Sequence, residues 1–270
     1  APQIKALSDT TGALGPNIPG NASASFTDLL PLIAPTTAGA FYFSGVGAGF
    51  KGVFHHSGGQ NRAILLNGVE GALGPGVPGF VFDTVTDYRP ISAGKFGILQ
   101  ATIRPVAGGN SIFGLWRLRP DTSPEPVIIV SSTSFIPAPG RLWRDVGVHN
   151  IFANGDVITQ AVTSNSPLLD AVSLWRIRPG HAPEELLKKG DLVRAPTAAG
   201  TEMRAVRSIV RPDAGSAALR EYGGDDSWVS ASGSVLVKVE IEPMEGGVYV
   251  VPFVRAQVTN LDTLFQDGFE

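Results

Sequence analysis

The segment Leu14-Gly15-Pro16-Asn17-Ile18-Pro19-Gly20 returns as Leu73-Gly74-Pro75-Gly76-Val77-Pro78-Gly79, 59 residues further along the chain. A seven-residue near-copy at a fixed offset makes the chain an array of repeats, and such self-similarity marks solenoids, propellers and related arrays. A Gly step recurs at Gly39, Gly94, Gly155 and Gly215, at intervals of 55, 61 and 60 residues. Each step precedes a short β-prone run. A third anchor relates Gly52-Val53-Phe54 to Gly114-Leu115-Trp116-Arg117-Leu118 and Ser173-Leu174-Trp175-Arg176-Ile177, with a weaker fourth copy at Leu236-Val237-Lys238-Val239-Glu240-Ile241.

Each period holds strand-sized runs bounded by Gly and Pro turn signals. In the second copy they are Val81 to Tyr88, Lys95 to Ile103, Ile112 to Leu118 and Pro126 to Val130. In the third they are Leu142 to Val148, Asp156 to Thr163, Val172 to Ile177 and Glu185 to Leu187. Alternation such as Leu115-Trp116-Arg117-Leu118 fits half-buried strands. Only Glu184 to Lys188 suggests a helical turn. Four strands per unit of about 60 residues predict an all-β chain, a β-propeller-like array of four blades with four short antiparallel strands each.

The expected repeat domain spans residues 1–259, with units at 14–72, 73–133, 134–195 and 196–254 and a C-terminal tail at 260–270. Residues 3–9 form an orphan outer strand, because Gln3-Ile4-Lys5-Ala6-Leu7 matches Arg62-Ala63-Ile64-Leu65-Leu66 before the second heptapeptide. The last unit has its own candidate at Val248 to Val254, so one terminal strand is surplus. An unpaired edge is a pairing template. Ile4, Ala6, Tyr249 and Val251 are the expected assembly residues, and a homo-oligomer is the expected partner state.

Hydrophobic residues make up 43% of the chain, enough for a core. A net charge of −3 leaves no basic footprint for nucleic acid. No apolar run is long enough to span a membrane as a helix. The start at Ala1-Pro2-Gln3 suggests a removed signal peptide. The absence of cysteine fits exported bacterial proteins, so a secreted or cell-surface, bacterial location is expected. Asn21-Ala22-Ser23 is a glycosylation sequon.

The order of Pro-Gly-x-Pro-Gly, strand, Ala-Gly, Phe-rich strand and Gly-x-Trp/Phe strand resembles the bacterial exported choice-of-anchor family of NxxGxxxAF repeats. The resemblance covers residues 1 to about 245 and implies a propeller-like fold. The signature asparagine is absent, its positions being Thr36, Ile91, Phe152 and Pro212. Leu264 to Glu270 resembles a C-terminal tail of exported gammaproteobacterial proteins. Neither resemblance implies an activity.

Functional signal is sought where the repeats differ. If Phe26, Phe82, Trp143 and Met203 share one column, the next column holds Thr27, Asp83, Arg144 and Arg204. These form either a polar channel mouth for an anion, sugar or ion, or a structural salt-bridge ring or set of solvated turn residues. Trp228, beside Asp225 and Asp226, is either a sugar-stacking residue or a packed loop anchor. His55, Arg117, Arg176 and Lys238 form a basic column, either a surface that docks acidic glycans or a partner or, as expected, the solvent face of an alternating strand. His56 and His149 replace apolar residues, a pattern expected of core or rim histidines.

Catalytic templates fail. No Gly-x-Ser-x-Gly elbow or phosphate loop occurs, and thiol chemistry is excluded. Asp28, Asp83, Asp87 and Asp145 on first strands leave a glycosidase-like carboxylate pair as the least favoured alternative. The expectation is a non-catalytic exported structural or interaction protein, acting in adhesion, scaffolding or self-assembly, with no cofactor and no metal. A glycan- or small-ligand-binding module, with a cell-surface glycan as partner, is the alternative.

Overall fold

The computed structural model describes residues 11–36, 39–85, 91–164, 172–197, 200–209, 234–241 and 249–257. The fold is all-β, with four antiparallel sheets. Sheet 1 holds β1 (Phe26–Pro35), β2 (Phe41–Gly47), β3 (Phe50–Ser57) and β4 (Gln60–Leu66). Sheet 2 holds β5 (Phe80–Thr84), β6 (Ile91–Ala93), β7 (Phe96–Pro105), β8 (Ile112–Leu118) and β9 (Glu125–Ile129). Sheet 3 holds β10 (Trp143–Ile151), β11 (Val157–Thr163), β12 (Val172–Ile177) and β13 (Glu184–Leu187). Sheet 4 holds β14 (Leu192–Thr197), β15 (Gly200–Ile209), β16 (Ser234–Ile241) and β17 (Tyr249–Gln257). Strands pair in chain order, except that β5 and β6 both pair with β7. The helical turn expected at 184–188 is absent: Glu184–Leu187 is strand β13, paired with β12.

The repeated Pro-Gly steps are type II turns, in which proline presets φ at the second position and glycine supplies a positive φ at the third. Gly20, Gly79 and Gly140 have φ of 80°, 76° and 74°. The closing bonds run from Asn21 N to Ile18 O (3.0 Å), Phe80 N to Val77 O (3.2 Å) and Arg141 N to Ala138 O (3.0 Å). The first two copies extend upstream into matching 3-10 turns at Gly12–Leu14 and Gly71–Leu73. Asn17 takes φ 47° where its counterpart Gly76 takes φ 68°.

Each heptapeptide is anchored to its own sheet. In the first, Asn17 Nδ2 donates to Asn61 O (2.8 Å) and Asn61 Nδ2 to Leu14 O (2.6 Å). Asn61 Oδ1 then accepts from His56 Nδ1 at 2.7 Å. In the second, Trp116 Nε1 donates to Pro75 O at 2.9 Å.

The chain forms two compact units, Ala1–Phe135 with Ile151–Gly155, and Ile136–Asn150 with Asp156–Glu270. In the first, sheets 1 and 2 pack face to face. Tyr42, Val53, Ile64 and Leu65 of sheet 1 share a core with Phe82, Leu99, Ala101, Ile103, Trp116 and Leu118 of sheet 2. The other face of sheet 1 buries Phe26, Phe43, Phe50 and Phe54, with Ile18 and Leu73 packed against them. β11 and β12 of the second unit are buried along their whole length. The half-buried alternation expected of such strands fails because both faces lie inside the fold, where polar side chains need internal partners.

Candidate functional site

Each of the expected mouth residues within the described chain has its own local surroundings. Asp83 lies at the end of β5, where Ser111 Oγ donates to its Oδ2 (2.6 Å) and Arg104 Nε approaches its Oδ1 at 3.4 Å. Its backbone carbonyl accepts from Asn67 Nδ2 at 2.7 Å, at the end of β4. Thr27 Oγ1 donates to Val46 O on the neighbouring strand. Arg144 is exposed on β10. Arg204 Nε donates to Glu202 Oε1 at 2.7 Å, two residues away on β15. Asp83 therefore belongs to the first unit and Arg144 and Arg204 to the second. Met203 is 52% exposed, so it does not share the buried position of Phe26, Phe82 and Trp143. In its strand Val206 is buried three residues on, so the two-residue alternation turns Met203 outward.

Trp228, Ile4, Ala6 and Asp87 lie outside the described residues. Tyr249 and Val251 lie in β17, in register with Ile241 and Val239 of β16. Asp28 is exposed. Asp145 is exposed and accepts from Val146 N at 2.8 Å. Asp83 is engaged by Arg104 and Ser111.

The basic column is the main correction to the sequence reading. His55, Arg117 and Arg176 are buried rather than solvent-facing. Arg117, 1% exposed, pairs with Glu125 and donates from Nε to Gly155 O at 2.8 Å. Arg176 donates from Nε to Asp156 Oδ2 at 2.8 Å. Desolvated charges persist only when paired and hydrogen-bonded, and both arginines satisfy that condition. The His55 ring lies 4.8 Å from that of Tyr42, tilted by 57°, and the Tyr42 hydroxyl donates to Lys95 O at 3.0 Å. Burial holds His55 below the ordinary histidine value, and the neighbouring His56 and Arg62 charges lower it further. His149 is buried, with Nδ1 3.2 Å from Gly147 O.

One cluster escaped the sequence reading. Lys95 Nζ and the Arg119 guanidinium lie 5.7 Å and 5.3 Å from the centroid of the buried Phe96 ring. Arg119 Nε is buried and has no hydrogen-bond partner. Burial raises the Tyr42 phenol well above its ordinary value, Asp121 adds to the rise, and Arg119 opposes it. Arg119 and Asp121 therefore both act on the buried Tyr42 hydroxyl. The signal for this cluster was the residue after the turn glycine, Asp156 in the third repeat and Lys95 in the second.

Among the described residues no group of three or more His, Cys, Asp or Glu is placed to hold a metal ion. No helix among them is long and apolar enough to cross a membrane. No protein-family model matches the chain, and no curated protein does either.

Proposed function

We propose that this chain is a non-catalytic exported interaction protein, a propeller-like array of four blades that self-associates through a terminal strand. The observation that carries the reading is β17. It is nine residues long, whereas the outer strands β4, β9 and β13 have seven, five and four. Among the described residues β17 pairs on one side only, with β16. A long outer strand offers unpaired backbone donors and acceptors to another chain. The buried charges add support, since Arg117 and Arg176 are engaged in ion pairs. Export rests on the choice-of-anchor resemblance and the absence of cysteine.

Sedimentation velocity of the full chain over a hundredfold concentration range tests the reading. Association should rise with concentration and disappear in a chain beginning at Thr11, which removes the orphan strand. The double variant Tyr249→Lys/Val251→Lys should also remain monomeric, because edge lysines block strand addition. A full chain that stays monomeric throughout overturns the proposal.

A further inference from the structure

Sheets 2 and 3 carry the same pair of arginines but different numbers of acids. In sheet 3, Arg176 pairs with Asp156, and Arg178 lies 3.8 Å from Glu184. Two arginines thus have two carboxylates. In sheet 2, Arg117 takes the place of Arg176 and pairs with Glu125, the counterpart of Glu184 across the strand register. Arg119 then takes the place of Arg178, and among the described residues it makes no ion pair. The residue after the turn glycine, which supplies the Asp156 carboxylate in sheet 3, is Lys95 in sheet 2. A position that brings negative charge in one repeat brings positive charge in the next.

The result is a local excess of cation on a preformed surface. Lys95 is exposed, Arg119 is half-buried, and Phe96 beneath them is 7% exposed. Cations over an aromatic face gain from the ring quadrupole, and this fixes where they stand. It does not satisfy guanidinium N–H groups, and Arg119 Nε remains buried without an acceptor. Arg117 and Glu125 neutralise each other. The exposed Asp121 makes no ion pair with Lys95 or Arg119, and even counting its charge the cluster stays net positive.

We infer that Lys95 and Arg119, seated on Phe96, form a binding site for a carboxylate group supplied from outside the chain. The ligand's carboxylate would complete the two-to-two pairing that sheet 3 makes internally. The planar guanidinium matches a carboxylate through two parallel N–H bonds, and the lysine adds a point charge beside it. A carboxylate reaches such a site on a small free acid or on a uronic-acid residue of a glycan. The site is independent of strand association through β17.

Isothermal titration of the full chain with sodium acetate, tri-galacturonate and neutral galactotriose tests the inference. Saturable binding of tri-galacturonate with none of galactotriose assigns the site to a glycan-borne acid; acetate binding as tightly assigns it to a free acid. Either supports a carboxylate site. Arg119→Gln should weaken binding by about 10- to 100-fold, the range set by loss of a charge-assisted hydrogen bond. Lys95→Asp should abolish it, because the carboxylate then comes from the chain itself. That variant should also melt no lower than the parent, so lost binding cannot be ascribed to unfolding. Failure of both acids to bind at ~10 mM, an affinity weaker than about 3 kcal/mol of binding free energy, overturns the site. Equal affinity in the parent and both variants overturns it as well.

Discussion

The ring of Phe82 meets the indole of Trp116 edge-on, their centroids 5.1 Å apart and their planes at 68°. The same pair recurs as Phe26 with Phe54 (4.8 Å, 83°) and as Trp143 with Trp175 (5.0 Å, 73°). Each joins the first strand of a sheet to the third, across a small residue on the second. Register places Gly45 between Gly47, opposite Phe26, and Phe43, opposite Phe54. Ala101 lies likewise between Ile103 and Leu99 in sheet 2, and Ala161 is two residues from Thr159, the partner of Trp175. Edge-to-face pairs contribute about 0.5–1.5 kcal/mol beyond the area they bury.

Gly45→Ala tests the need for a small floor. A methyl there would lie 2.6 Å from the Phe26 ring and 3.3 Å from Phe54. Phe26 is wholly buried and cannot swing clear. The expected cost is about 1–3 kcal/mol, the range for overpacking a core. Urea unfolding measures it, and an unchanged midpoint would show that the floor is not limiting.

The two tryptophans should respond differently to truncation. Trp116 Nε1 donates to Pro75 O, whereas Trp175 Nε1 is buried with no hydrogen-bond partner. The Arg141 guanidinium covers Trp175 at 5.0 Å instead. Trp116→Phe removes a hydrogen bond and frees the heptapeptide carbonyl, while Trp175→Phe removes an unsatisfied donor. Beyond the shared loss of volume, Trp116→Phe should cost more by about 1 kcal/mol, the net value of one hydrogen bond. Equal losses would deny the anchoring role of Trp116.

The heptapeptide disclosed the period because a type II turn restricts its two central residues to Pro and Gly. The strand runs were legible for the same reason: sterically demanding turns punctuate them. The basic column was misread because Leu115-Trp116-Arg117-Leu118 shows the same alternation whether its polar face meets water or a partner. Only the acids Glu125 and Asp156, on or just before neighbouring strands and 8 and 20 residues from Arg117 and Arg176, decide between the two. Met203 was aligned by spacing, but Val206, three residues on, is a position its strand buries, which leaves Met203 outward.

Asp156→Ala should be among the most damaging single changes. It leaves the Arg176 guanidinium buried without its carboxylate, and breaking one side of a buried pair costs about 3–5 kcal/mol. Asp156→Leu/Arg176→Met removes both charges and should recover most of that loss. A double variant as unstable as Asp156→Ala would show that the pair itself supplies net stability.

Acid should weaken the fold in two steps. His55 has its folded value below the ordinary 6.5, because burial disfavours its charged form. The unfolded chain then binds more protons than the folded one as pH falls below 6.5, so this contribution is complete above 6.5 and is lost toward the lower folded value. Burial alone would raise Glu185, but hydrogen bonds from Arg141 and Ser173 and the Arg141 and Lys188 charges hold it below 4.5. Its contribution is complete above 4.5 and is lost as pH falls through the folded value. Urea midpoints should therefore fall first as pH drops below 6.5, then again as it drops below 4.5. His55→Gln should flatten the first step and spare the second, whereas Glu185→Gln should do the reverse. A first step unchanged in His55→Gln would assign that titration to another group.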